Sequence, residues 1–210
     1  MSARHRLRIP ARPHLAYERR FVRDGYSAIA GLDEAGRGAW AGPVAAAAVI
    51  LNLAKASRLR QVRDSKQLTP RQREAVYPLI LDASTAYGIG LAGPVEIDAI
   101  GIVPATRLAM TRAIAALSLR PDALIIDAVR LCEVDVPQAV FHFADSISLS
   151  VAAASILAKV TRDRMMVELA AAFPGYGFER LKGYGTRAHQ AALKAMGVCA
   201  VHRKTFRPML

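Results

Sequence analysis

Within a few residues the chain passes from an apolar run to two adjacent carboxylates and then to a Gly-Arg-Gly turn. The segment is Ile29-Ala30-Gly31-Leu32-Asp33-Glu34-Ala35-Gly36-Arg37-Gly38. The apolar approach predicts a buried strand from about Ser27 to Asp33. Neighbouring side chains on a strand point to opposite faces, so Asp33 and Glu34 cannot both enter an apolar core. A charge at the edge of a core is costly unless it is paired or bound to a cation. Oxygen-only donors of this kind suit a hard divalent metal such as magnesium or manganese. The glycines allow backbone to approach a ligand closely, and Arg37 presents a planar fork to phosphate or ribose oxygens.

The rest of the chain supplies more carboxylates in the same setting. Ala123-Leu124-Ile125-Ile126 is an apolar run closed by Asp127, and the run Ala139 to Phe143 ends near Asp145. If these runs are neighbouring strands, their ends gather Asp33, Glu34, Asp127 and Asp145 into one shallow acidic site. Crowded carboxylates raise one another's pKa, and divalent cations relieve the repulsion. Two such ions about 3.5–4 Å apart would activate water and clamp a phosphate.

Around these runs the pattern alternates strand and helix. Val44 to Leu51 is an uninterrupted apolar run, read as a second buried strand, and Ser84 to Leu91 as a third. Thr69 reads as an N-cap and Pro70 as the first residue of a helix running to Asp82. Further helices are expected over His14–Asp24, Pro94–Ile100, Pro104–Leu117, Ser146–Ala172 and Thr186–Met196. This order predicts an α/β fold, a mixed sheet covered by helices, with no internal repeat. The expected organisation is a flexible basic arm over residues 1–13 and one catalytic domain over residues 14–210.

Charge narrows the partner. The 210-residue chain carries a net charge of +12, with 53% hydrophobic residues. Seven arginines fall within residues 1–25 against Glu18 and Asp24, and seven lysines or arginines within residues 176–210 against Glu179. Basic ends on a nearly neutral middle point to a polyanion, with nucleic acid the leading choice. Cys132 and Cys199 have neither metal-ligand spacing nor a disulfide framework, which fits a reducing cytoplasm. No segment is apolar enough at sufficient length to span a membrane. The histidines lack zinc spacing; His142 is read as structural, and His189 and His202 as surface residues. Ser155 is read as a small residue for helix packing, and Asp64 and Asp163 as surface partners of nearby cations. Neither Gly-x-Gly-x-x-Gly nor a Walker-type loop is present, which argues against enzymes that use nucleotide cofactors.

Taken together, several segments resemble the ribonuclease HII family. They are Leu32-Asp33-Glu34-Ala35-Gly36-Arg37-Gly38 with Ala41-Gly42-Pro43-Val44, Asp64-Ser65-Lys66-Gln67-Leu68, Ile125-Ile126-Asp127, and Ala152 to Asp163. Lys182-Gly183-Tyr184-Gly185-Thr186 and His202-Arg203-Lys204-Thr205-Phe206 complete the set, in family order from about Leu15 to Pro208. The resemblance implies a ribonuclease H-like fold, a five-stranded mixed sheet flanked by helices with further C-terminal helices. It implies metal-dependent cleavage of RNA in RNA–DNA hybrids and incision at ribonucleotides embedded in duplex DNA, leaving 3′-hydroxyl and 5′-phosphate ends. Asp33, Glu34, Asp127 and Asp145 match the family's catalytic acids, which hold Mn2+ or Mg2+. Gly36, Arg37 and Gly38 match the turn that recognises the ribonucleotide, and Tyr184 the substrate-sensing tyrosine. Lys66 and Lys182 are expected to hold phosphates. Two positions depart from the family pattern: Asp127-Ala128 stands where Asp-Gly is usual, and Phe143-Ala144 where Lys-Gly is usual. The expected protein is a cytoplasmic monomer. A catalytically silent nucleic-acid binder on the same fold is the rival reading, and its weakness is that an acidic cluster repels a polyanion.

Overall fold

The computed structural model describes residues 9–207. Most of the basic arm, residues 1–8, and the final residues 208–210 lie outside the described residues.

Five strands form one mixed sheet: β1 Ile29–Ala35, β2 Val44–Leu51, β3 Ser84–Ala92, β4 Ala123–Asp127 and β5 Gln138–Phe141. Their spatial order is β3-β2-β1-β4-β5, with β1 antiparallel to β2 and parallel to β4. The eight α-helices among the described residues are α1 Ala16–Arg23, α2 Pro70–Ala83, α3 Pro94–Ile100, α4 Ile102–Ala115, α5 Ala144–Ile147, α6 Leu149–Ala172, α7 Phe178–Leu181 and α8 Arg187–Met196. None is long and apolar enough to cross a membrane.

Alternation along the strands sorts side chains between two cores. Ala47, Val49 and Leu51 of β2 pack with α2 and α6, whereas Ala46, Ala48 and Ile50 pack with Leu32, Leu124, Ile126 and α4. With both faces covered, β2 needs no polar side and reads as a continuous apolar run. Each Leu or Ile buried in this way contributes roughly 1.5–3 kcal/mol. Helix α6 lies directly on β1, where Gly31 leaves room: a Cβ there would run into the Ser150 backbone. The buried Ala152, Ala153 and Ala154 keep the same approach short.

Three expectations need correction. The first strand, expected to end at Asp33, continues through Glu34 to Ala35, so both acids are strand residues. The expected strand over Ala139–Phe143 ends at Phe141, and Phe143 turns left-handed (φ 63°) into α5, so Asp145 sits on a short helix. The helix expected from Ser146 to Ala172 is broken at Ser148, which is extended and caps Val151 with its hydroxyl. Buried Glu18 fixes that break, because its Oε1 accepts from the Ser148 and Ser150 hydroxyls and from the Ser150 amide. A carboxylate on the freed amides of a helix N-terminus is favourable, and it holds the new start of α6 in place. The bounds of β2, β4, α2 and α8 otherwise follow the sequence pattern closely, including the Thr69–Gln72 capping box.

Candidate active site

The parallel register decides which acids meet. The last registered pair of β1 and β4 is Leu32 with Ile126, so Asp33 and Asp127 each stand one residue further on. By alternation both side chains project to the face that carries α6, the face of Ala47 and Ile125. Asp145 reaches the same place from α5. The Asp127 carboxylate anchors that helix by accepting the Ala144 amide at 2.9 Å. Glu34 leaves the opposite side of β1, next to the turn.

Asp33, Glu34 and Asp145 are held above their ordinary pKa values. Burial raises the Asp33 pKa well above the ordinary value, and the charges of Glu34, Asp145 and Asp127 raise it further. Burial also raises Glu34, against the Arg37 guanidinium 3.5 Å away. Asp145 is raised by burial despite its hydrogen bond from Lys66 at 3.0 Å. Burial works against the Lys66 ammonium, yet Asp145, Asp64 and Asp33 outweigh it and hold the lysine above its usual value. Lys66 on Asp145 and Arg37 on Glu34 are therefore the cations that this acidic site holds in the described arrangement.

The donor set fits divalent cations in its chemistry: all oxygen, crowded, and under-neutralised. Glu34 Oε2 is buried and has no hydrogen-bond partner, a cost that a cation would remove. In the arrangement described, Asp145 faces Lys66 and Asp127 faces a backbone amide. Among the described residues no three His, Cys, Asp or Glu side chains are gathered closely enough to hold an ion.

Two buried arginines shape the turn beside the acids. Arg203 donates from Nε to the Gly42 carbonyl, from Nη1 to Arg37 and from Nη2 to Gly36, at 2.7–3.0 Å. Arg162 donates to the carbonyls of Pro43, Ala41 and Lys182 at 2.8–3.0 Å. Both are fully buried. Burial, then the charge of Arg162, pulls Arg203 down to about 9, so it remains a cation at neutral pH. Gly36 is required here on two counts: its φ is +88°, and a Cβ would collide with the Arg162 guanidinium. Arg37 itself is half-exposed above this support, and Gly38 is exposed beside it.

Across the site, Lys182, Gly183 and Tyr184 form a loop after α7, with Lys182 left-handed at φ 53°. The Trp40 and Ala41 amides both donate to the Gly183 carbonyl, which ties this loop to the segment after the turn. Lys159 and Arg162 lie 5.5 and 5.4 Å from the centre of the Tyr184 ring. Lys182 Nζ donates to the Asp163 carbonyl at 3.1 Å, while the Asp163 carboxylate pairs with Lys159 and Arg73. Asp163 is thus a half-buried brace within the loop's support, more enclosed than a surface partner. Ser155 does more than pack: its hydroxyl accepts the Ser65 amide and so holds the segment that carries Lys66.

The family model described as Ribonuclease HII matches residues 30–209. The chain belongs to the ribonuclease HII family. It is an enzyme, a ribonuclease H. A ribonuclease HII of Chloroflexus aurantiacus is 50% identical over 201 residues, covering 94% of this chain and 95% of that protein. A ribonuclease HII of Roseiflexus castenholzii is 52% identical over 200 residues, covering 94% and 89%. The ribonuclease H2 crystal structure from Pyrococcus horikoshii superposes with a TM-score of 0.73 at 29% identity, covering 87% of this chain and 95% of that one.

Four further residues take structural roles around the site that their place in the sequence does not announce. Arg162 and Arg203 lie inside the quoted segments, but nothing in the sequence says that a cation there is buried on backbone carbonyls. His189 and His202, read as surface residues, are both fully buried and face each other with 3.0 Å between their Nε2 atoms. His142 is exposed just beyond β5. No residue type or spacing in the sequence announces the burial of either histidine.

Proposed function

We propose that this chain hydrolyses RNA in RNA–DNA hybrids and cuts on the 5′ side of ribonucleotides embedded in duplex DNA, leaving 3′-hydroxyl and 5′-phosphate ends. The observation that carries the reading is the parallel register that sets Asp33 and Asp127 side by side, with Asp145 on the helix whose Ala144 amide Asp127 accepts. The four carboxylates would hold two divalent cations, Mn2+ or Mg2+. Such cations, when bound, supply charge neutralisation at the scissile phosphate and activation of the attacking water.

The chain's own residues do the rest. Arg37 reaches toward a ribose or phosphate from a turn whose carbonyls are engaged by Arg203, so the 2′-hydroxyl is met by fixed groups. Tyr184 stacks on the sugar next to the scissile phosphate. Lys66 and Lys182 hold phosphates as point charges that carry no sequence information. Residues 14–210 act as one catalytic domain and residues 1–13 as a basic arm adding nonspecific attraction; the continuous sheet supports the first of these. The free thiols of Cys132 and Cys199 fit a reducing cytoplasm, and the protein works as a monomer.

The deciding experiment is a duplex DNA with a single ribonucleotide, incubated with and without divalent metal. Metal-dependent cutting on the 5′ side of the ribonucleotide is the expected result. Binding without cutting at any metal concentration would instead leave a catalytically silent binder.

A further inference from the structure

Behind the Tyr184 loop runs a chain of hydrogen bonds whose proton positions are forced. The Cys199 backbone N–H can only donate, and it donates to His202 Nδ1 at 2.9 Å; the Cys199 thiol lies 3.1 Å from the same nitrogen. His202 Nδ1 therefore carries a lone pair, and the ring proton sits on Nε2. That nitrogen faces His189 Nε2 at 3.0 Å, so His189 Nε2 must accept. His189 then carries its proton on Nδ1, 3.0 Å from the Tyr184 carbonyl, which can only accept. Protonation of either ring would set two donors head to head. Burial agrees, since it lowers the pKa of both imidazoles and keeps them neutral.

The surroundings are aromatic. Trp40 and Phe178 each stand 5.6 Å from the His189 ring, and Tyr176 stands 4.9 Å from the His202 ring with its hydroxyl turned to the Gly197 carbonyl. A carbon ring of the same size would pack there as well. It would leave the Tyr184 carbonyl with the Thr186 amide as its remaining donor. What the two histidines add to packing is a directed donor that fixes the plane of the Tyr184 peptide, and hence where its side chain begins.

We infer that His189 and His202 are positioning residues for cutting at single ribonucleotides: their one-way relay sets the Tyr184 peptide and, through it, substrate preference. The inference rests on the reading of Tyr184 as the residue that meets the sugar. A long hybrid is held along many nucleotides and tolerates a displaced tyrosine. A lone ribonucleotide offers one sugar to recognise, so an error in placement falls wholly on that reaction.

The test is single-turnover cleavage of two substrates, a duplex with one ribonucleotide and an RNA–DNA hybrid, compared as a ratio for each variant. His189→Phe removes the donor, and the ratio is expected to fall by at least about tenfold, the scale of a small misplacement of a positioning group. His189→Asn places an amide N–H where Nδ1 stands and is expected to recover most of the ratio. His202→Gln keeps a donor toward His189 and is expected to match the parent, whereas His202→Asn lacks it and is expected to fall between. An unchanged ratio in His189→Phe, while Tyr184→Ala shifts it, overturns the relay and leaves the histidines as packing. If His189→Phe does not fold, equal ratios for His202→Gln and His202→Asn overturn it in the same way. If Tyr184→Ala itself loses both substrates equally, the reading of Tyr184 is what fails, and the relay's role in preference falls with it.

Discussion

Lys66 donates to the Asp145 carboxylate at 3.0 Å and stands 3.4 Å from Asp64, so one exposed ammonium bridges the edge of the acidic site. It occupies a carboxylate proposed to bind a cation. If Asp145 binds a cation as proposed, lysine and metal would compete for it. Removing the lysine should ease metal entry while weakening the grip on phosphate.

Lys66→Met is accordingly expected to lower, several-fold, the metal concentration that gives half-maximal cleavage, and to weaken duplex affinity at low salt. The lysine is largely exposed, which limits the size of both effects. A metal titration of single-turnover cleavage reads the first and a binding titration the second. An unchanged metal midpoint would show that Lys66 does not contest Asp145.

The Asp33 carboxylate is buried among three other acids, and its ionised form burdens the metal-free fold. Asp33→Asn removes that charge and keeps the shape. It should abolish cleavage at any practical metal concentration, yet raise the metal-free melting temperature. In a chain of this size each kcal/mol of relief is worth about 2–4 °C. Asp145→Asn should be milder and partly recoverable with more Mn2+, because Asp145 already has Lys66 as a counter-charge. Near-normal cleavage by Asp33→Asn would remove it from the site, and a lower metal-free melting temperature would show that its charge is not a burden.

How much of this was legible in the sequence depends on whether the cause is local. The Thr69-Pro70 helix start, the apolar run Val44–Leu51 and the Gly197 stop are local signals, and the structure follows them. Asp33 and Asp127 were legible because strand ends are, and parallel pairing then brings them together. The place of Asp145 on a short helix was not legible: the break at Ser148 is stabilised by Glu18, far away in sequence. The burial of Arg162, Arg203, His189 and His202 was invisible for the same reason. Their partners are backbone carbonyls and one another, which no residue type announces.

The buried histidines also predict how stability responds to pH. Both have pKa values lowered by burial in the folded state, against about 6.5 when unfolded. Below about pH 6.5 the unfolded chain therefore takes up protons that the folded chain refuses, and stability falls as pH drops, until the folded values are passed. Above about pH 6.5 this source is flat. The raised carboxyls of Asp33, Glu34 and Asp145 act in the opposite sense, but they are common to parent and variant. The difference between parent and His202→Gln isolates the histidine. Melting temperatures between pH 5 and pH 8 should fall less steeply on the acid side for His202→Gln. Parallel curves would mean that the folded His202 titrates normally.

Arg203 carries the strongest prediction about the turn. Its three donations engage the carbonyls of Gly36, Arg37 and Gly42, and its charge sits under the place where Arg37 would meet substrate. Arg203→Lys keeps the charge but lacks the planar fork, so it cannot serve three carbonyls at once. A buried acceptor left without a donor costs about 1–3 kcal/mol, so losing two should cost on the order of 3 kcal/mol in denaturant unfolding. Folded Arg203→Lys should then cut single ribonucleotides more slowly, with a raised KM, because the turn that presents Arg37 is loosened while the four carboxylates are untouched. Arg37→Ala provides the comparison. If the Arg203 guanidinium acts through Arg37, the double variant should be little slower than Arg37→Ala alone. Independent, multiplicative losses would show instead that Arg203 supports the acidic site as a whole.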